Sequence, residues 1–289
     1  MSVLTKTARF RTRDGLQLVS EHRLVGQARG HVVIVHGFAE HLQRYEAIAT
    51  ALTARGYSCH QFDLRGHGRS EGTRGHVSAF EEYRDDLQLF LEHTREVLGS
   101  VYNTESSPWL LLAHSLGGLI ALSFELHRPK SFLALALSSP FLYPSFKLPP
   151  FADQFSSLAA HLVPTLPIKS LMKPEWLSHD PAIVEAYTKD PLIFSTCTPS
   201  WWTAVRAEQK EVLERSAEIK TSALFLLGDA DRIADWHYSR RVFERLGSEP
   251  KRLEVYRGFF HEVLNEIGRE RVSAEILSWF DERTSSAAA

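Results

Sequence analysis

The sequence predicts an α/β protein: a mostly parallel sheet with helices on both faces, interrupted by an inserted helical cap. Three observations carry this. Short strand-like runs alternate with longer amphipathic stretches, the pattern of parallel strands joined by crossover helices. Several of these runs are apolar at successive positions, as in His31-Val-Val-Ile-Val35, which marks strands buried on both faces. From Pro140 to about Trp202 the alternation stops, and prolines recur at 140, 144, 149, 150, 164, 167, 174, 181, 191 and 199. A structureless loop of that length is uncommon in a compact domain, so short helices are expected there.

In chain order, Lys6 to Phe10 and Leu16 to Leu24 flank the Asp14-Gly15 turn and predict an opening hairpin. The strand at His31 to Val35 is followed by a helix over Leu42 to Arg55 that Gly56 stops. Ser58 to Leu64 reads as a strand, Val77 to Leu98 as a long helix before Gly99, and Trp109 to Ala113 as a strand. A helix over Leu116 to His127 follows at once, with Pro129 beyond its end. Phe132 to Leu137, Ala223 to Leu227 and Arg252 to Tyr256 complete the strands, and Val263 onward returns to helix. The expected division is a core over 1–139, a cap over 140–202 and the rest of the core over 203–289.

Composition narrows the function. The chain has 289 residues, suited to one large domain with an insertion. Its formal net charge of -2 lacks the basic excess that nucleic-acid binding requires. Only Cys59 and Cys197 are present, so no disulfide framework is implied. No secretory signal pattern or run of ~20 apolar residues is seen. The expected location is therefore cytoplasmic, with peripheral contact at a membrane surface through the cap.

The chemistry centres on Trp109-Leu-Leu-Leu-Ala-His-Ser-Leu-Gly-Gly118. An apolar strand runs into Ser115 and a helix begins directly after it. Small residues, Ala113 and Gly117, flank the serine at −2 and +2. A nucleophile elbow needs them, because the strained turn brings backbone segments close together. The competing reading is a serine that caps a helix. A nucleophilic serine needs a base and an orienting carboxylate. In α/β-hydrolases these follow in the order Ser, Asp or Glu, His. Leu224-Phe-Leu-Leu-Gly-Asp-Ala-Asp231 offers Asp231 and Asp229, with Asp235 further on. Turn or capping chemistry is the alternative for each. Downstream, His261 lies on a strand-end loop, whereas His237 falls in a helix close to the acid turn. The backbone amides of Phe38 and Leu116 are the expected oxyanion hole, the second at a helix N-terminus. His36, His41, His67, His76 and His114 lack the spacing of a metal-ligand set, so no metal site is expected. The mechanism needs no cofactor.

These blocks resemble the monoacylglycerol lipase and lysophospholipase branch of the α/β-hydrolases. The resemblance rests on His36-Gly-Phe-Ala-Glu-His-Leu-Gln-Arg-Tyr45, Phe62-Asp-Leu-Arg-Gly-His-Gly-Arg-Ser-Glu-Gly72, Ala113-His-Ser-Leu-Gly-Gly118, Asp180-Pro181 through Asp190-Pro-Leu192, Gly228-Asp-Ala-Asp-Arg232 and His261-Glu-Val-Leu-Asn-Glu266. It implies the α/β-hydrolase fold with an eight-stranded, mostly parallel sheet. It also implies Ser115, Asp231 and His261 as the triad, the family's G-x-x-D turn choosing Asp231 over Asp229. Glu40, Arg44 and Tyr187 match positions that bind the glycerol end of the substrate, although Glu40 and Arg44 equally suit a pair that only holds the loop. Two residues depart from the pattern: Ala113 replaces the first elbow glycine, and Phe38 stands where a small residue is common in the animal enzymes.

The implied reaction is hydrolysis of a small acyl-lipid ester, a monoacylglycerol or lysophospholipid, through an acyl-enzyme on Ser115. Phe141, Leu142, Phe146, Leu148, Phe151, Phe155, Leu158 and Leu162 are candidates for an acyl channel or for packing the cap onto the core, any exposed remainder suiting contact with a lipid surface. The competing readings are a peptidase or thioesterase on the same fold and, last, a non-catalytic binding protein.

Overall fold

The structure is a computed structural model that describes residues 3–99, 107–147 and 149–288. Strands β1 (Val3–Arg11) and β2 (Gln17–Val25) form the predicted hairpin, with Arg11 opposite Gln17. Next come β3 (His31–Val35), a 3-10 turn at Leu42–Tyr45, α1 (Glu46–Ala54), β4 (Ser58–Phe62) and α2 (Glu81–Gly99). Then follow β5 (Trp109–His114), α3 (Leu116–His127) and β6 (Ala134–Ser138). After β6 the chain forms α4 (Ala152–Leu162), β7 (Ile168–Lys169), a 3-10 turn at Pro174–Trp176, α5 (Pro181–Lys189), β8 (Thr196–Cys197) and α6 (Pro199–Arg215). It closes with β9 (Ser222–Gly228), α7 (Trp236–Arg245), β10 (Lys251–Tyr256) and α8 (Glu270–Ala288).

Eight strands make one sheet in the order β1-β2-β4-β3-β5-β6-β9-β10. The pairs β1–β2 and β2–β4 are antiparallel and the rest are parallel. Alternate side chains of the central strands feed two cores. Val33, Val35, Leu111, Ala113, Leu135 and Leu137 join one, to which α2, α3, α6 and α7 contribute. Val32, Ile34, Leu110, Leu112, Ala134 and Ala136 join the other, with α1 and α8. This is why the strands read as continuous apolar runs. The order also defines the position of the site. β3 sits between β4 and β5, so the connections leaving β3 and β5 diverge to opposite sides. Ligands bind in the crevice that such a switch point opens at the strands' C-terminal ends.

Several element boundaries differ from expectation, three of them for a side-chain or turn reason. The strand at 58 ends at Phe62, because Asp63 turns away and its carboxylate accepts Leu42 N and Arg69 N at 2.9 and 2.8 Å. The long helix starts at Glu81 rather than Val77, after turns in which Glu82 N bonds Ala79 O. The last helix starts at Glu270 rather than Val263. The preceding loop is held by the Glu266 carboxylate, which accepts from Phe260 N, His179 N and Ile267 N, and Gly268 turns the chain at φ +88°.

The proline-rich segment lies between β6 and β9, and α6 runs across residue 202 to pack on α3. Helix α4 has no buried residue. Its small residues Ala152, Ser156, Ser157, Ala159 and Ala160 are half-buried, while Phe155 and Leu162 are 76% and 72% exposed. Among the described residues, no helix is long and apolar enough to cross a membrane.

Candidate active site

Ser115 is the one residue between β5 and α3. Its backbone sits at φ 52°, ψ −115°, a conformation that a residue with a side chain adopts only when its surroundings impose it. The Ser115 N–H donates to Ser138 O at 3.0 Å, which ties the turn to β6. Its carbonyl accepts from Gly118 N, Phe141 N and Leu119 N at 2.9, 2.9 and 3.2 Å. The glycines are needed for close approach. A Cβ on Gly117 would lie 2.3 Å from Val35 O and 2.7 Å from His36 O, and one on Gly118 would lie 2.6 Å from Pro140 Cβ. Ala113 is tolerated because it belongs to β5, where it is buried in the sheet core.

His261 follows β10 on a loop and bridges the other two residues. Its Nε2 lies 2.9 Å from Ser115 Oγ and its Nδ1 lies 2.7 Å from Asp231 Oδ2. All three residues are buried. The second Asp231 oxygen accepts Ile233 N and Ala234 N at 2.7 and 2.9 Å, which fixes the carboxylate. Gly228 lets the acid and histidine loops meet, since a Cβ there would lie 2.4 Å from Phe259 O. The structure separates the three acids cleanly. Asp229 accepts Gly258 N, and Asp235 caps α7 through His237 N and Tyr238 N. Burial pushes the His261 imidazole down, but the Asp231 carboxylate outweighs it, with Glu262 and Glu40 adding, so its pKa lies above the ordinary value.

The Phe38 and Leu116 amides flank the serine from β3 and α3, and neither donates to an acceptor among the described residues. The neighbouring Gly37 N–H is occupied by Glu40 Oε1 at 2.5 Å. The Phe38 ring packs against Trp201 at 4.1 Å between centroids, and edge-on against Phe194 and His67. Its bulk is therefore absorbed into an aromatic wall.

Glu40, Arg44 and Tyr187 come together beside Ser115, with Glu262 as a fourth member that the sequence reading missed. Arg44 donates to Glu40 at 2.8 Å and to both oxygens of Glu262 at 2.5 and 2.8 Å. Its guanidinium lies 4.9 Å from the Tyr187 ring centroid. Burial raises the Glu40 carboxyl, but Arg44 together with His114, His36 and the Tyr45 hydroxyl outweighs it and holds the pKa at about 2. The signal for Glu262 was its position directly after His261, which places it in the site whenever the histidine is there.

A cleft of about 310 Å³ opens at Ser115. Gly37, Glu40, Arg44, Tyr187 and Glu262 form its polar end, while Phe141, Phe146, Leu171, Met172, Trp201 and Trp202 contribute its apolar wall. Of the expected channel residues, Phe141 and Phe146 line it, Leu142 is in the sheet core, and Leu148 lies outside the described residues. Phe151, Phe155, Leu158 and Leu162 are exposed on the outer surface instead. Trp201 and Trp202, on α6 at the end of the proline-rich segment, are wall residues that the sequence reading did not name.

The five histidines weighed as metal ligands have structural partners. His36 bonds Gly37 O and accepts Leu64 N, His67 bonds Arg65 O, and His41 pairs with Asp190 at 2.8 Å. His76 bonds Thr198 Oγ1, and His114 bonds Ser138.

A switch-point crevice holding a Ser–His–Asp chain beside two free amides defines a serine hydrolase on the α/β-hydrolase fold. The profile of the family described as serine aminopeptidase, S33 matches residues 26–268, and the chain belongs to that family. It is 32% identical over 253 residues to a monoacylglycerol lipase of Mycolicibacterium smegmatis, covering 87% of this chain and 88% of that one. It is 31% identical over 282 residues to the monoglyceride lipase of Homo sapiens, covering 95% and 90%. The crystal structure of a monoacylglycerol lipase from Paleococcus ferrophilus superposes with a TM-score of 0.81 at 28% identity, covering 98% of this chain and all of that one. The chain is a serine carboxylic ester hydrolase.

The turn geometry generates a prediction. Gly117→Ala is expected to destabilise the protein by more than ~2 kcal/mol, because the clash is with backbone that cannot move aside. Ala113→Gly should cost only about 1 kcal/mol. Urea denaturation followed by tryptophan fluorescence checks both. A Gly117→Ala protein as stable as the wild type would refute the close packing.

Proposed function

We propose that the protein hydrolyses the single ester of monoacylglycerols or lysophospholipids through an acyl-enzyme on Ser115. The observation that carries this is the Ser115–His261–Asp231 chain, 2.9 and 2.7 Å apart, at the junction of a polar pocket and an apolar wall. Ser115 Oγ attacks the carbonyl carbon as its proton passes to His261 Nε2. The oxyanion takes hydrogen bonds from Phe38 N and Leu116 N, the latter at the positive end of α3. The tetrahedral species collapses, and His261 gives its proton to the departing alcohol. Water then attacks the acyl-enzyme, His261 takes a proton from it, and the fatty acid leaves as Ser115 is restored. Asp231 holds the imidazole tautomer and stabilises the imidazolium.

In this reading Glu40, Arg44 and Tyr187 receive the head group. The Tyr187 hydroxyl is buried without a partner among the described residues and lines the cleft, so it is available to a substrate hydroxyl. Glu40 also accepts Gly37 N and Tyr45 Oη, so holding the loop and forming the pocket are joint roles of one residue. The apolar wall takes the acyl chain.

We further propose that 140–202 acts as a cap and meets a lipid surface through α4. The helix turns its small residues inward and its large apolar ones outward, the reverse of a soluble amphipathic helix. Phe151, Phe155, Leu158 and Leu162 form an exposed apolar face of the kind that docks on membranes.

Four measurements test these readings. Ser115→Ala should lower turnover of a p-nitrophenyl ester by at least ~10⁴-fold while remaining folded. In a panel of monoacylglycerols, lysophospholipids and aminoacyl amides, wild type should favour the esters, and a preference for the amides would overturn the reading. The pH dependence has a definite sign. His261 must be neutral to accept the serine proton, and its pKa is raised. Activity should therefore fall on acidification with a midpoint above 6.5, and a midpoint below that value contradicts the Asp231 partnership. Finally, Phe155→Ser with Leu158→Ser should weaken binding to phosphatidylcholine vesicles at least ~10-fold in a flotation assay while sparing hydrolysis of a dissolved short ester. Unchanged flotation rules out docking through α4.

A further inference from the structure

Among the described residues, Glu262 brings a second carboxylate to the leaving-group end of the cleft, where Arg44 already faces Glu40. Two carboxylates, Glu40 and Glu262, share one guanidinium, Arg44. All three groups are largely withdrawn from water, with side chains 5%, 4% and 12% exposed respectively. The remaining donor to Glu262 is a neutral amide, Asn265 Nδ2 at 2.9 Å. The nearby acids add no cation: Asp231 is engaged with His261, and Asp190 with His41. Of the other basic side chains described around Glu262, burial holds His114 below its ordinary pKa, His261 is engaged with Asp231, Arg269 pairs with Asp180, and Lys169 is exposed on β7 in the inserted segment. The pocket that receives the departing alcohol thus carries a buried excess of negative charge, and its unpartnered group is the neutral Tyr187 hydroxyl.

We infer that Glu262 makes this end of the cleft an anion-excluding subsite, and that it sets the enzyme's discrimination between uncharged and phosphate-bearing head groups. The inference rests on the ester-hydrolase reading and narrows its substrate class. An uncharged polyol exchanges hydrogen bonds with water for hydrogen bonds with Tyr187, Arg44 and the carboxylates. A phosphate in the same place meets a carboxylate across a few ångströms of low-dielectric space, and Arg44 is already held by two others. At an effective dielectric near 20 that repulsion corresponds to discrimination on the order of 100-fold. The same field helps expel the fatty acid, whose carboxylate forms beside it.

The test compares kcat/KM for two dissolved esters with the same acyl group, monobutyryl glycerol and monobutyryl glycerol phosphate. Wild type is expected to favour the uncharged ester by ~100-fold. Glu262→Gln keeps the shape and removes the charge, and should narrow the ratio to ~10-fold or less, whatever happens to the absolute rates. Glu262→Asp keeps the charge and should retain most of the preference. A ratio unchanged in a folded Glu262→Gln protein would overturn the inference. If that variant does not fold, wild type alone decides: equal kcat/KM on the two esters rejects it, and the expected preference supports it. Failure of wild type to hydrolyse monobutyryl glycerol at all would instead overturn the ester reading beneath it.

Discussion

The strained turn at Ser115 is the constraint on which the site depends. A side chain held at φ 52° between β5 and α3 is thrust above the sheet edge, where nothing on its own element crowds it. The conformation survives because the surrounding structure leaves no alternative. β6 takes the serine amide, three following amides take its carbonyl, and α3 approaches the end of β3 through Gly117 and Pro140 through Gly118. Each contact comes from an element laid down before or after the turn, so the complete sheet is what keeps the serine in place. The position of β3 beside β5 adds the second half of the site, since it brings the Phe38 amide to the side of Ser115 opposite the acid and histidine loops.

Electrostatics then divides the crevice. On one side a single carboxylate, Asp231, sits against a single imidazole and raises its pKa. On the other, two carboxylates surround one guanidinium, a cluster with more acid than base. Buried groups of this kind are costly to desolvate and rarely improve stability over apolar packing. In the proposed function, their place at the polar mouth of an otherwise aromatic and aliphatic cleft gives the cost a use, orienting the two ends of an amphipathic ester. Helix α4 follows a similar logic outside the cleft: its exposed Phe155 and Leu162 contribute nothing to the core and face outward beside the entrance.

Much of the fold was legible in the sequence. The continuous apolar runs at His31, Trp109, Phe132 and Ala223 read as strands covered on both sides, and Gly15 and Gly56 marked the turns between elements. Less legible were the boundaries set by side chains from afar. The helix expected from Val263 begins at Glu270 because Glu266 is recruited by Phe260, His179 and Ile267 into a loop that local propensity does not describe. The outward face of α4 was misread for a related reason. Its apolar periodicity is that of a core helix, and only its packing shows which way the large side chains point.

Ser115, Asp231 and His261 could be proposed from sequence because each stands at a strand end with a particular turn chemistry, and that chemistry is local. The choice of Asp231 over Asp229 and Asp235, by contrast, becomes a distance only in three dimensions, where the neighbours bond Gly258 and cap α7. The tryptophans of α6, and the partners that Glu262 meets beside His261, were invisible for the same reason. A buried charge cluster joins residues 40, 44, 187 and 262, and no local pattern encodes a contact across more than two hundred residues. The sequence by itself determined the elements, their order and the reactive groups they carry, since these follow from periodicity and turn chemistry. The tertiary structure alone decided which charges meet and how they balance, because both depend on strand neighbours that are far apart along the chain.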